Sequence, residues 1–200
     1  CIQFVEKFDG VSFRHAFEIL DAGKTAFSAP ADAPVKKSTV PRLELPFDPE
    51  APDAELLGQV VDFYHDRLLQ TPAALDYLRG RGLCLEEAIE RFRLGFADRT
   101  LGLRLPSMNR KAGAEIRTRL QKLGIYRETG REHMNGRIVL PIPGPDGRTK
   151  LYGRLISKPN QGISKHLYLP GPHEGIWNVE ALNEPDLILC EAPFDALTFW

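Results

Sequence analysis

The sequence predicts an α+β fold, in which helices are followed by a β-hairpin and then by a strand that leads into a helix. Three patterns in the 200 residues support this prediction. Apolar residues recur at helical spacing from residue 53 onward, and two strand-like runs flank a turn at 143–147. A short apolar run at 186–190 is typical of a buried strand.

Residues 1–20 predict two short helices with a break at Asp9-Gly10. A segment this short cannot build its own core, so we expect it to be the helical tail of a truncated domain. Residues 21–54 are rich in proline, which removes backbone donors and blocks helix interiors, and they predict a linker. Residues 28–52 within it are expected to be poorly packed.

The next segment, 55–185, opens with predicted helices. The first carries an apolar stripe formed by Leu56, Val60, Phe63, Tyr64 and Leu68. A second begins at Thr71-Pro72, a favourable helix start, and ends at Gly80. A third follows, with these residues expected to face inward: Leu85, Ala88, Ile89 and Phe92. A fourth spans 109–123 and ends at Gly124.

The hairpin is predicted from two runs, Arg137–Ile142 and Lys150–Ile156, on either side of Pro143-Gly144-Pro145-Asp146-Gly147. Further on, Asp186–Cys190 predicts a buried strand, and a helical pattern resumes at Pro193. The chain begins and ends inside apolar patterns, so we expect both ends to be internal to a longer protein.

The composition is that of an ordinary globular protein, with 42% apolar and 26% charged residues. No apolar run approaches the roughly 20 residues needed to cross a bilayer, and no export signal is visible. The three cysteines, Cys1, Cys84 and Cys190, form no C-x-x-C pair and fit reduced thiols of the cytoplasm. His65, His133, His166 and His173 show no metal-ligand spacing and are expected to be surface or structural residues. Phe92 and Phe96 are expected in the core rather than stacked on bases.

The charge is distributed unevenly along the chain. Residues 60–170 hold 20 Lys and Arg against 11 Asp and Glu, whereas residues 171–200 hold 6 acidic residues and no Lys or Arg. A basic block suits a polyanion such as nucleic acid, because its cations replace the counterions on phosphates. A solvated surface explains the same block equally well.

The residues with the clearest chemical signal are Glu191 and Asp195. An acidic residue that ends a buried strand and begins a helix lies at the sheet edge where α/β folds bind ligands. Asp195 follows four residues later, so both carboxylates could share a divalent cation or act in acid–base chemistry. The alternative is a helix start that favours acidic residues through the helix dipole.

The run Leu187–Leu197 resembles the first motif of the toprim fold, in which a glutamate ends a strand and an aspartate follows in a helix. Bacterial primases commonly have E-G-Y-M-D-V here, and this sequence has Glu191-Ala192-Pro193-Phe194-Asp195-Ala196. The glutamate and the aspartate match in place. The glycine does not match and the proline is unusual, which indicates a divergent member.

The upstream sequence resembles bacterial-type DNA primases in the same order, except over the linker and residues 97–130. Gly136–Ile142 and Gly153–Leu155 are similar to the family's G-R-I-x-F-P-I and G-G-R strands, and Ser164–Tyr168 is similar to its P-K-Y-L-N. Further similar segments are Ile2–Val5, Tyr77–Leu83, Ile89–Phe96 and Ile176–Asn178.

The resemblance implies a primase core whose N-terminal part, residues 55–185, leads into the start of a toprim domain at 186–200. It implies that Glu191 and Asp195 are catalytic, with Glu191 associated with Mg²⁺ or Mn²⁺. It also implies that Lys165, Arg137 and Arg154 face the template and the nucleotide. From the residues alone, Lys165 could be a solvated lysine and the two arginines outward-facing strand residues.

The implied reaction is the synthesis of short RNA primers on single-stranded DNA from nucleoside triphosphates, with a replicative helicase as a further partner. The resemblance places a zinc ribbon before this chain, whose Zn²⁺ these residues would not bind, and a D-x-D pair after it. The fragment alone is therefore expected to be inactive. The divergence suggests a plasmid or mobile-element origin. The alternative is a toprim-like nucleic-acid-binding module that does not polymerise.

Overall fold

The structure is a computed structural model that describes residues 2–21, 43–83, 86–145, 147 and 149–200. The described chain divides into two compact units, one ending at Glu44 and one beginning at Leu45. Most of the predicted linker, together with Cys1, Cys84 and Leu85, lies outside the described residues. None of the described helices is long and apolar enough to pass through a membrane.

The first unit contains the two predicted helices, α1 (Ile2–Asp9) and α2 (Phe13–Asp21). The predicted break between them is present, because Gly10 adopts φ +62°, a value that glycine reaches without strain. Phe4 and Phe8 stack on one side of α1 with ring centroids 5.5 Å apart.

The second unit is a mixed α+β structure. Its helices are α3 (Asp53–Leu69), α4 (Pro72–Arg79), α5 (Glu86–Arg91), α6 (Leu101–Arg104), α7 (Lys111–Lys122) and α8 (Pro193–Ala196). Short 3₁₀ turns span Val179–Asn183 and Leu197–Phe199. Its strands are β1 (Gly95–Phe96), β2 (Arg137–Pro143), β3 (Thr149–Leu155) and β4 (His166–Tyr168). The strands form one antiparallel sheet in the order β1-β2-β3-β4.

The predicted hairpin is confirmed with its register. β2 pairs with β3 from Arg137 opposite Leu155 to Pro143 opposite Thr149. The turn closes with a hydrogen bond that the Gly147 amide donates to the Gly144 carbonyl over 3.1 Å. The predicted helix starts and ends near residues 53, 72 and 80 are also present, and α7 ends just before a left-handed glycine.

Side chains on the two faces of the sheet contribute to two separate apolar cores, as strand alternation requires. Val139 and Leu151 join the core that contains α3, α7 and the loop before β2. Ile138, Leu140 and Tyr152 join the other core, which contains α4, α5 and Phe194. Phe194 and Leu197 near the C-terminal end therefore pack on the face of the sheet that is opposite α7.

The segment just before α3 is more ordered than expected. Residues 43–52 contain no helix or strand, but Phe47 is 6% exposed and packs into the α3 core. Arg119 of α7 donates hydrogen bonds to the carbonyls of Pro49 and Ala51 and pairs with Asp53. The prediction of poor packing is thus wrong for these residues, because an apolar anchor and a cationic clamp fix the chain.

The predicted buried strand at 186–190 is absent. Residues 187–190 form no strand, and Leu189 is 86% exposed while Ile188 is 61% exposed. A strand needs a neighbour to accept and donate its backbone hydrogen bonds, and no described strand lies beside this run. The apolar composition of the run was read correctly, whereas its burial was not.

Aromatic side chains attach the C-terminal segment to α5. The ring of Phe92 contacts Trp177 at 4.3 Å and Trp200 at 5.0 Å between centroids. Arg91 lies over the Trp200 ring at 4.9 Å and pairs with Glu180 at 2.6 Å. We name Phe92, Trp177 and Trp200 the aromatic cluster. The expectation that Phe92 and Phe96 serve packing is confirmed.

A buried carboxylate gives the α3 core a predicted pH dependence. Glu132 is 7% exposed and lies near the buried hydroxyl groups of Tyr64 and Tyr126. Burial raises the pKa of Glu132 from 4.5 to about 7; Asp98 adds to the rise, while Tyr64 and Arg99 oppose it. Protonated Glu132 is therefore the form that the folded state favours.

We expect the free energy of unfolding to fall as pH rises from about 5 to 8. Glu132 keeps its proton to a higher pH in the folded protein than in the unfolded chain, so deprotonation at higher pH disfavours the folded state. The contribution of Glu132 is on the order of 3 kcal/mol, from about 1.4 kcal/mol per pKa unit. Denaturant unfolding at pH 5 and at pH 8 gives this difference, and we expect the free energy of unfolding to fall less between the two pH values in Glu132→Gln than in the unchanged chain. An identical pH dependence in the variant would contradict the assignment, since Glu132 is the one titratable group that differs between the two proteins.

Candidate active-site cleft

An open cleft of about 320 Å³ lies beside the C-terminal segment, and Glu191 lines it. Its walls come from the hairpin, from β4 and from the loops on either side of Val179–Asn183. Polar groups on these walls include the ammonium of Lys150, the ring of His173 and the carboxylate of Glu174. The cleft therefore brings acidic and basic groups to one concave surface, which is the usual setting of a binding site.

Local contacts fix the wall opposite Glu191. The ring of His173 stacks on Tyr168 with centroids 4.2 Å apart, and Lys150 Nζ lies 3.8 Å from Glu174 Oε2. Gly175 adopts φ +95°, and a Cβ there would lie 2.3 Å from the Pro143 carbonyl oxygen. The loop can approach the hairpin this closely only with glycine at that position.

Glu191 is exposed and stands two residues before α8. Pro193 occupies the first position of this short helix, which is a favourable one because the missing N–H would have no partner there. The carboxylate thus precedes the helix as predicted, although no strand leads to it. Cys190 beside it is a free thiol that is partly exposed.

Asp195 has a different setting from Glu191. Its side chain does not contribute to the cleft, and its negative charge acts on Tyr152 and His166 instead. The structure therefore does not bring the two predicted carboxylates into one cleft. It brings Asp195 close to Arg154, another predicted site residue, through the His166 ring that lies near both.

The second grouping of polar residues lies at the β3–β4 edge, and we name Tyr152, Arg154 and His166 the edge triad. Arg154 Nη1 lies 2.7 Å from His166 Nε2, and the Tyr152 hydroxyl lies 2.6 Å from His166 Nδ1. Arg154 and Arg81 both stand over the ring of Phe194, at 5.7 Å and 6.0 Å. Cation–π contacts of this kind hold the guanidinium groups in place.

The triad determines the protonation of His166. Arginine can only donate, so Nε2 accepts from Arg154 and the proton of the neutral ring is on Nδ1, facing Tyr152. Burial, followed by the positive charges of Arg154 and Lys165, lowers the pKa of His166. The imidazole is therefore neutral near pH 7, because in the cationic form the Nε2–H would face the guanidinium of Arg154, which is also a donor.

We expect Arg154→Met to raise the pKa of His166, because one repelling charge is removed and the ring can then charge more easily. NMR titration of the ring signals measures this shift. His133 serves as an internal control, since its pKa is lowered by burial and by Arg127 and Arg137 rather than by Arg154. A second variant, Lys165→Gln, should give a smaller rise without touching the core. Unchanged His166 titration in both variants would refute the triad.

Arg137 and Arg154 are not outward-facing strand residues, because they are only 5% and 7% exposed. Arg137 donates hydrogen bonds to the carbonyls of Asn135 (3.0 Å) and Ser164 (2.8 Å), and burial lowers its pKa. It therefore ties β2 to the loop that carries Lys165. Lys165 itself is exposed, and its carbonyl accepts a hydrogen bond from the Leu155 amide.

Sequence reasoning missed the edge triad. His166 was expected to be a simple surface or structural residue, and Tyr152 was not considered. A signal existed in the hairpin register, because Tyr152 and Arg154 are two residues apart on β3 and must point to the same face. Two other histidines are structural as expected: His65 bonds the Leu94 carbonyl, and His133 bonds the Tyr168 carbonyl.

The described residues do not by themselves form a metal site. Within the described part of the chain, no group of three or more His, Cys, Asp or Glu side chains lies close enough to hold an ion. Glu191 could supply one carboxylate oxygen to such a site, but Asp195 points to the edge triad. The site's remaining ligands would have to come from elsewhere.

Comparison with known proteins gives one clear sequence match. The chain is 30% identical over 158 residues to the DNA primase of Haemophilus influenzae (strain ATCC 51907 / DSM 11121 / KW20 / Rd). The chain is similar to a bacterial DNA primase. The match covers 76% of this chain and 25% of the primase, so the chain spans a quarter of its curated relative. No protein-family model matches the sequence.

Solved primase structures are also similar to this chain. The DnaG catalytic core is 27% identical with a TM-score of 0.46, over 60% of this chain and 38% of that one. The DnaG catalytic domain bound to single-stranded DNA is 28% identical with a TM-score of 0.46, over 59% and 37%. The zinc-binding and RNA polymerase domains of Aquifex aeolicus primase are 23% identical with a TM-score of 0.48, over 85% and 38%.

Proposed function

We propose that this chain is part of the catalytic region of a DNA primase, which makes short RNA primers on single-stranded DNA from nucleoside triphosphates. The observation that carries this proposal is the 30% identity over 158 residues to a bacterial primase. The conserved order of short motifs along the resemblance adds to it.

The geometry is compatible with phosphoryl transfer, which depends on positioning and on neutralising negative charge. In the proposal, Glu191 is the catalytic carboxylate of the cleft. Lys165 contacts phosphates directly, because it is exposed on the loop before β4. Arg154 contributes positive charge from the edge triad, and Arg137 positions the Lys165 loop through the Ser164 carbonyl. Asp195 is proposed to act through His166 and not in the cleft.

The proposed cofactor is Mg²⁺ or Mn²⁺, which would supply charge neutralisation at the phosphates, with Glu191 as one ligand. The other ligands would be the carboxylates of a D-x-D pair in the complete protein. Zn²⁺ is proposed only for a ribbon that precedes residues 1–20, and not for this chain. The proposal keeps 21–54 as the linker, whose last residues from Leu45 onward pack with the second unit. It keeps 55–185 as the front of the core and 186–200 as the start of the toprim domain.

The cellular setting is also a proposal. The primase would work in the cytoplasm with a replicative helicase, and the unusual proline after Glu191 favours a divergent plasmid or mobile-element member. The composition and the three widely spaced cysteines of the sequence support a reducing compartment.

The decisive experiment is an assay of the complete gene product on single-stranded DNA with labelled ribonucleotides and Mg²⁺. Template-dependent short RNA is the expected product. DNA binding without any RNA product would favour the alternative, a nucleic-acid-binding module that does not polymerise. A protein with neither property would contradict both.

A further inference from the structure

The strongest unexplained feature is a concentration of positive charge between β1 and β2. Residues 97–131 hold 9 Lys and Arg against 3 Asp and Glu, and all but Arg131 lie in the stretch 97–130 that does not resemble the primase motifs. The structure shows which of these cations serve the fold and which do not.

Four of the nine have clear structural tasks. Arg119 clamps the segment before α3, and Arg117 Nη2 donates to the Pro106 carbonyl over 3.4 Å. Arg104 lies over the Phe63 ring at 5.4 Å, and Arg99 bonds the Asn135 side chain. A fifth, Lys111, has a long contact of 3.8 Å to Glu115 on the exposed face of α7.

The other four cations are exposed and make no ion pair or hydrogen bond through their side chains to any residue that the structure describes. They are Arg110, Lys122, Arg127 and Arg131. Three of them lie together, because the 127–131 turn docks on the end of α7. Gln121 Nε2 donates to the Arg127 carbonyl over 3.4 Å, and the Arg127 amide donates to the Arg131 carbonyl over 2.8 Å. We name Lys122, Arg127 and Arg131 the α7 patch.

The positive charge of the patch acts on neighbouring basic groups. Arg127 contributes to lowering the pKa of both His133 and Arg137, which means that its charge reaches further cations. Glu128 is the one acidic residue in the turn itself. Keeping like charges this close costs energy unless an anion binds beside them.

The location and composition of the patch indicate which anion. α7 packs on the sheet face opposite Phe194, and none of the three patch residues is among those that line the cleft. Proteins that bind single strands stack bases on exposed aromatic rings, but the one aromatic residue in 97–131, Tyr126, is only 5% exposed. A duplex needs cations alone, because its bases are stacked inside and its phosphates face outward.

We propose that the α7 patch, which does not line the cleft, binds the phosphate backbone of a nucleic-acid duplex. Resting on the proposed function, the duplex in the cell would be template paired with primer, held after it leaves the site of synthesis. The binding itself needs no catalysis, and it can therefore be tested apart from primer synthesis.

The test uses the chain as it stands and a fluorescein-labelled DNA duplex of about 20 base pairs, with anisotropy measured from about 50 to 200 mM NaCl. The variant is Lys122→Gln/Arg127→Gln/Arg131→Gln. We expect its duplex affinity to fall more than tenfold at the lowest salt. Each phosphate contact contributes roughly 0.9 to the steepness with which log of the binding constant falls with log of the salt concentration. Loss of three contacts should therefore reduce this steepness by about 2 to 3.

The matched control is Lys7→Gln/Arg14→Gln/Arg79→Gln, which removes the same charge from exposed positions elsewhere and should bind as the unchanged chain does. Equal loss in both triple variants, or no loss in the patch variant, would overturn the proposal. An equal loss for an oligothymidine single strand would overturn the duplex assignment, as would binding to phosphatidylserine vesicles in place of DNA. If the patch variant loses duplex binding but the complete gene product makes no primers, the patch proposal is supported and the proposed function fails.

Discussion

Glu191→Gln in the complete gene product should lower primer synthesis by about 100-fold or more, while affinity for single-stranded DNA stays within about twofold. The substitution keeps the shape of the side chain and removes the one acidic group that the α8 start presents to the cleft. The proposed function assigns template binding to cations elsewhere in the protein, so binding should survive. Incorporation of labelled ribonucleotides and anisotropy of a labelled template measure the two effects separately.

The control for this variant is Glu184→Gln, which removes the same charge from an exposed residue that does not line the cleft. It should synthesise primers normally. Asp195→Asn separates the roles further: it should change His166 titration, because Asp195 raises the pKa of that ring. If Glu191→Gln made primers at the normal rate, Glu191 would be only a helix-start carboxylate.

Gly95→Ala should reduce the free energy of unfolding by about 3 kcal/mol, or roughly 6 to 12 °C in Tm for a protein of this size. The added Cβ would lie 2.6 Å from Tyr64 Cβ and 2.8 Å from the Tyr64 carbonyl carbon. These atoms belong to the backbone region of α3 and cannot rotate away. Strand β1 would therefore have to move from α3 or from β2, with which it pairs at Val139.

Gly58→Ala is the matched control within α3 itself, because no atom lies within 4 Å of its added Cβ. Replacing a helical glycine by alanine there should raise stability by up to about 1 kcal/mol. Thermal melts monitored by circular dichroism distinguish the two variants. Equal Tm values for Gly95→Ala and the unchanged chain would mean that β1 does not pack tightly on α3.

Helices and the hairpin were predictable because their signals are local. The stripe from Leu56 to Leu68 has the helical period, and the Pro-Gly turn separates two runs of β-forming residues. β1 was missed because it is only two residues long and is defined by its partner, β2. The strand predicted at Leu187–Cys190 was wrong for a related reason. Its composition suits a strand, but a strand forms only where a neighbouring strand pairs with its backbone.

The site was predictable only in part. The position of Glu191 before a helix follows from the local sequence, whereas the direction of Asp195 depends on tertiary packing of Phe194 against the sheet. Burial of Arg137 and Arg154 was equally invisible, because a strand residue can face either side. Whether these arginines are buried depends on which side of the sheet each faces and on what packs there.

The aromatic cluster gives this protein a spectroscopic property. The sequence contains 2 tryptophans, and both contact Phe92 of the α5 region through the cluster defined above. Intrinsic tryptophan emission therefore comes entirely from the contact between α5 and the chain that carries Glu191. A shift of that emission to longer wavelength would report the release of this segment, with no label and no background from the sheet or from the α7 patch.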